Sequence, residues 1–178
     1  MSIVALGVFV ALVVAGFLYT QIASQKLRSA TWDGLAARIV PVPFSGISIV
    51  AMDNLQPGQN QIELEPGDMW QLVGGKQGLD SMYKNAEVLI QLAAWVQRWN
   101  YEEAAIVSER IRRDAVQLRR SIRRIRFSML LQRKPIRIPF YIHEAATAYH
   151  LMSQRLLALY QGSHSGLYPR LAESLNYA

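Results

Sequence analysis

Residues 3–22 read IVALGVFVALVVAGFLYTQI, and no charged side chain occurs before Lys26. About 20 apolar residues, at ~1.5 Å of rise each, match the ~30 Å hydrocarbon core of a bilayer. The segment predicts an uncleaved N-terminal transmembrane helix. A secretory signal would need a positive n-region, which Met1-Ser2 does not supply, and a shorter apolar core. A buried core helix would show a polar stripe, and this run has none. No Lys or Arg precedes the segment, whereas Lys26, Arg28 and Arg38 follow it. The positive-inside rule then puts the N-terminus outside and the rest of the chain in the cytoplasm. The expectation is a single-pass protein of the cell inner membrane. Gly7, Ala11 and Ala15 recur every four residues, a small-residue face that admits another transmembrane helix. Tyr19 reads as an interfacial aromatic, and so does Trp32 if the chain after the anchor stays near the membrane surface.

The expected fold is mainly α: a single transmembrane helix, a small β-hairpin element, then a helical hairpin or three-helix domain. Residues 1–25 are the anchor and 26–38 a polar connector. Over 39–75 the character changes. Pro41, Pro43, Gly46, Pro57, Gly58, Pro66 and Gly67 crowd this stretch and exclude a long helix. FSGISIVA (44–51) is rich in β-branched residues, and 61–65 alternates polar and apolar. Glu65-Pro66-Gly67-Asp68 has the Pro-Gly centre of a type II turn. The reading is a two- or three-stranded element with a hairpin, too small to be stable alone.

Residues 76–162 read as helical. Met82, Ala86, Leu89, Ala93 and Val96 recur at spacings of three and four. Asn100 is a candidate N-cap, with Glu103 completing a variant capping box. Ala104, Val107, Ile111, Ala115, Leu118, Ile122, Ile125 and Met129 then follow close to a heptad seam. The pattern favours a hairpin turning at 99–101, because one helix running on would be ~75 Å long and would need partners. Pro139 suits the first turn of a further helix. Ile142, Ala145, Ala146, Tyr149, Met152, Leu156 and Leu159 form its buried face, and Gly162 ends it. Residues 163–178 are a tail with a short helix.

The chain has no cysteine, which removes disulfides, thiolate metal sites and cysteine nucleophiles. It has three histidines. His143-Glu144 resembles the start of a zinc-protease motif, but that motif needs its second His four residues on, and here His150 is seven on. Two turns part them by ~10 Å, too far to share an ion. Gly74-Gly75-Lys76 is followed by Gln77 and not by Ser or Thr, so it is a turn and not a phosphate loop. No catalytic, cofactor or metal residue is assigned, and the chain reads as a non-enzyme. An enzyme working through His143, Glu144 and His150 is the third-ranked reading.

The net charge of +6 is unevenly placed. Residues 110–137 hold eleven basic side chains against one acid, Asp114, whereas 53–103 holds eight acids against three basic residues. Arg110, Arg112, Arg113, Arg119, Arg120, Arg123, Arg124 and Arg126 flank the apolar seam, with no Lys among them. Arg forms bidentate bonds to carboxylate and phosphate, which Lys cannot. A merely solvated face mixes in Lys and Glu. The face therefore reads as a binding surface for acidic protein, including this chain's own acidic half, or for anionic lipid. Nucleic acid is disfavoured, since no base-reading motif is present. Trp95 and Trp99, one turn apart, read first as a hydrophobic core edge and otherwise as a docking feature for a partner, a lipid headgroup region or a pigment. The leading expectation is a non-catalytic accessory or scaffold subunit of a cytoplasmic-membrane complex of photosynthetic or respiratory type. It would contact other membrane-protein subunits through its transmembrane and cytoplasmic parts. The alternative is a tethered adaptor for lipid or nucleic acid.

Overall fold

The computed structural model describes residues 31–56, 64–131 and 138–176. Seven helices form there, and no strand. They are α1 (Trp32–Ala36), α2 (Phe44–Leu55), α3 (Pro66–Leu72), α4 (Gly75–Val96), α5 (Tyr101–Leu130), α6 (Ile138–Ser163) and α7 (Tyr168–Asn176).

The expected β element is corrected to two helices. In α2 the residues taken as strand-forming bury Ile47, Val50 and Ala51, spaced three and one apart. That is the period of a helix face, and packing on α6 overrides the β-preference of the side chains. The Pro-Gly pair expected in a turn instead starts α3. Pro66 opens the helix, where its missing N–H is not needed and its φ is already helical. Gly74 (φ 76°) and Gly75 (φ 57°) are left-handed and redirect the chain from α3 into α4. Gly46 marks the crossing of α2 with the end of α3. A Cβ there would stand 2.2 Å from the Leu72 carbonyl oxygen.

A second correction concerns the membrane. No helix among the described residues is long and apolar enough to cross one. The placement as a single-pass inner-membrane protein with a cytoplasmic domain is therefore not supported. The segment 3–22, with Gly7, Ala11, Ala15 and Tyr19, lies outside the described residues. Trp32 is not an interfacial aromatic. It is 6% exposed and belongs to the core, with the Arg170 guanidinium 4.8 Å from its ring centre.

Helix α6 is the centre of the bundle and touches α2, α3, α4, α5 and α7. Every residue from Ala145 to His150 is buried, so it is covered on all sides. Ala145, Ala146 and Ala148 keep it slim enough for neighbours to approach. Against it lies the inner face of α5: Ala104, Ser108, Ile111, Ala115, Leu118, Ile122 and Ile125. These recur at alternating four and three, and Ile142, Ala145, Tyr149, Met152, Leu156 and Leu159 of α6 do the same at three and four. Two such seams pack as side chains set into facing gaps. The helices run antiparallel, because Arg124 lies over Tyr141, Ser121 donates to Glu144, and Arg155 bonds Asp114 farther along. Met129, expected in the seam, is exposed at the end of α5.

The chain reverses between Val96 and Tyr101, and α4 packs antiparallel on α5. Asn100 occupies the N-cap but forms no side-chain cap bond to the backbone. Its amide donates instead to Glu103 Oε2 (2.9 Å) and Ser163 Oγ (3.2 Å), tying the turn to the end of α6.

Two buried polar side chains pin the assembly. Asn85 Oδ1 accepts from Val40 N (2.8 Å), and its Nδ2 donates to Val40 O (2.7 Å) and to Tyr149 Oη (3.0 Å). This straps the segment between α1 and α2 onto α4. Tyr160 Oη donates to Leu92 O at 3.0 Å. Burial pushes the Tyr149 phenol up to about 12, so it stays neutral.

Candidate functional site

The arginines of α5 divide by direction. Toward α4, Arg119 donates to Glu87 Oε2 (2.8 Å) and Arg126 bonds Asp80 Oδ1 (2.5 Å). Between these bridges sits Tyr83, with both guanidiniums over its ring at 5.3 and 5.2 Å. Asp80, Tyr83 and Glu87 are spaced three and four apart, so they share one face of α4. The acidic half of the chain therefore takes up two of the eight arginines. That spacing was in the sequence, but its partner could not be chosen before the helices were paired.

Arg119 is the principal reason that the Glu87 carboxyl lies below its ordinary value of 4.5; burial opposes the shift. A carboxylate depressed in the fold contributes stability above its unfolded value, and that stability is lost as pH falls through the folded value. Glu87→Gln should therefore flatten the fall in melting temperature between about pH 6 and about pH 3. Thermal unfolding followed by circular dichroism in that window checks this. Identical slopes for both proteins would mean that the bridge does not form.

The remaining arginines face elsewhere. Arg113 is exposed and bridges to Glu109 one turn back (3.2 Å). Arg123 Nε donates to the Arg119 carbonyl at 3.3 Å, and Arg124 covers Tyr141 at 5.3 Å. Arg112 and Arg120 have no acidic partner among the described residues. Asp114, the lone acid of the basic run, is taken by Arg155 and does not neutralise this face. Burial chiefly, and then the nearby Arg110, lower the Arg155 pKa.

Arg120, Arg123 and Arg124 line an open groove of about 490 Å³ with Phe127, Ser128 and Tyr141. Phe127 is 62% exposed. Farther along the same outer face Val116 is 65% exposed, and Leu130 80%. Cations interleaved with bare apolar side chains define the candidate site. Phe127, Ser128 and Tyr141 were missed in the sequence. The available signal was Phe127 standing seven residues after Arg120.

Trp95 and Trp99 do not join this site. Their rings lie 4.4 Å apart at the far end of α4, and His164 packs on them at 5.7 and 5.2 Å. Trp99 stays 58% exposed, and Arg98 lies over Trp95 at 5.9 Å. The cluster closes the end of the bundle over the connection between α6 and α7. His143 and His150 serve different neighbours. His143 Nε2 is 3.2 Å from Asp53 Oδ2 but out of line for a hydrogen bond, whereas His150 stacks on Phe44 at 6.0 Å. Burial lowers the His150 pKa. Glu144 accepts from Ser121 Oγ at 2.7 Å. Among the described residues no three His, Asp or Glu side chains come together as a metal site.

Comparison with known proteins returned no matching family model, curated relative or solved structure.

Proposed function

We propose that this chain is a non-catalytic scaffold or accessory subunit that holds an acidic partner protein on the outer face of α5. The carrying observation is the division of the arginines. Arg119 and Arg126 are neutralised by Glu87 and Asp80, while Arg112, Arg120 and Arg123 point outward beside exposed Val116 and Phe127. Cations that served only solubility would not need bare aliphatic and aromatic side chains between them. Such a mixture suits an interface, where Arg and aromatic residues carry much of the binding energy. The planar guanidinium also favours bidentate capture of carboxylates.

Arg112→Gln/Arg120→Gln/Arg123→Gln tests the reading, because all three side chains are exposed and their loss should barely affect folding. Native extracts are sized, and comigrating proteins are identified by mass spectrometry. The expected result is a discrete assembly for the wild type and release of the triple variant, at least about tenfold weaker in binding. A wild-type chain that runs as a free monomer would overturn the proposal. So would a variant that stays assembled while losing affinity for anionic vesicles or DNA.

A further inference from the structure

Taking the acidic-partner reading as its basis, we infer that the partner docks as an α-helix presenting two carboxylates three residues apart, flanked on each side by an apolar residue four away. The geometry of α5 carries this. Val116, Arg120, Arg123, Phe127 and Leu130 follow one another at four, three, four and three residues. That alternation holds all five on one stripe of the helix, ~21 Å long at 1.5 Å per residue. Val116, Phe127 and Leu130 are bare, and the two arginines sit between the first two of them.

The same helix already reads an acidic helix on another side. Toward α4 it offers Arg119 and Arg126, seven residues apart, and α4 answers with Glu87 and Asp80, also seven apart. An apolar ring, Tyr83, fills the space between the charges. The outer stripe is a second instance of this arrangement, with no answering helix among the described residues. There the charges lie inside and the apolar side chains outside. On the α4 side the acids repeat the spacing of the arginines that they meet, so the partner should carry apolar, acid, acid, apolar at i, i+4, i+7 and i+11. This order reads the same in both directions and fits either helix polarity. The groove between Phe127 and Tyr141 receives one flanking apolar side chain, and Arg120, Arg123 and Arg124 at its edge receive the carboxylates.

A second copy of this chain does not supply the motif. Within its 178 residues the only acids three apart are Glu65 and Asp68, and the position four before Glu65 is Gln61. The partner is thus a different polypeptide with an acidic amphipathic helix.

The probe is a labelled helical peptide of about 18 residues with Leu, Glu, Glu and Leu in the stated spacing, the length needed to span the stripe. A control peptide has the same composition with both Glu on the opposite face. Binding to the full chain is read by fluorescence anisotropy. The phased peptide should bind at least about tenfold tighter than the control, and Arg120→Gln/Arg123→Gln should remove that advantage. Phe127→Ala should weaken the phased peptide and leave the control unchanged. Equal binding of both peptides, lost in the arginine variant, would overturn the helix inference while leaving the acidic-partner reading intact. If neither peptide binds, both readings fall, whether or not anionic vesicles or duplex DNA bind through the same arginines. An unchanged melting temperature in each variant shows that the fold is not the cause.

Discussion

Asn85→Leu should lower the melting temperature by roughly 5–15 °C, though Leu keeps the branched outline of Asn and the site is closed to solvent. Asn85 is fully buried, and one amide satisfies both the N–H and the C=O of Val40 while donating to Tyr149. Leu offers neither donor nor acceptor. The two backbone groups would lose their partner where water reaches poorly, at about 1–3 kcal/mol each. The strap between α1 and α2 would then loosen from α4. Asn85→Asp should be worse near neutral pH, since it keeps one acceptor but buries a charge with no cation beside it. Thermal unfolding of the two variants checks the ranking. A Leu variant as stable as the wild type would show that the strap is held by its apolar contacts alone.

Gly46→Ala should destabilise by about 2–4 kcal/mol, whereas Gly67→Ala should be neutral or stabilise by up to about 1 kcal/mol. Both glycines lie in helices, where Ala is ordinarily the better residue. The difference is what a methyl group meets. At Gly46 it would press on the Leu72 backbone, with the carbonyl oxygen at 2.2 Å and the carbonyl carbon at 2.9 Å. Backbone cannot swing aside as a side-chain tip can, so α2 and α3 would have to separate. At Gly67 nothing lies within 4 Å. Chemical denaturation of the pair measures the contrast without a change of chemistry. Equal effects at both sites would mean that α2 and α3 do not cross at this distance.

Legibility from the sequence followed the type of information required. The positions Met82, Ala86, Leu89, Ala93 and Val96 are all buried, and so are Ile142, Ala145, Ala146, Tyr149, Met152, Leu156 and Leu159. Those long apolar periods need only the 3.6-residue repeat to be seen. The β-branched residues of 44–51 favour a strand by propensity, although Ile47, Val50 and Ala51 carry helical spacing. Pro66-Gly67 misled because Pro serves the second position of a turn and the first position of a helix equally well. A short segment has too few residues for local preference to decide, and packing on α6 decides it.

The candidate site divides in the same way. The concentration of arginine on α5 is a property of the sequence. Asp80, Tyr83 and Glu87 lie more than thirty residues from the arginines they meet, and no local pattern tells which of eight guanidiniums they will take. Sequence alone determined the apolar faces of α4, α5 and α6, and the one-sided charge of α5, because each is a periodic property of a single helix. Only the tertiary structure decided that Arg119 and Arg126 are neutralised along the α4–α5 edge while Arg120 and Arg123 stand beside Phe127 without an acidic partner among the described residues. The physical reason is that charge pairing between helices depends on the register of their packing. Here that register comes from the reversal at residues 97–100 and from two heptad seams meeting on α6.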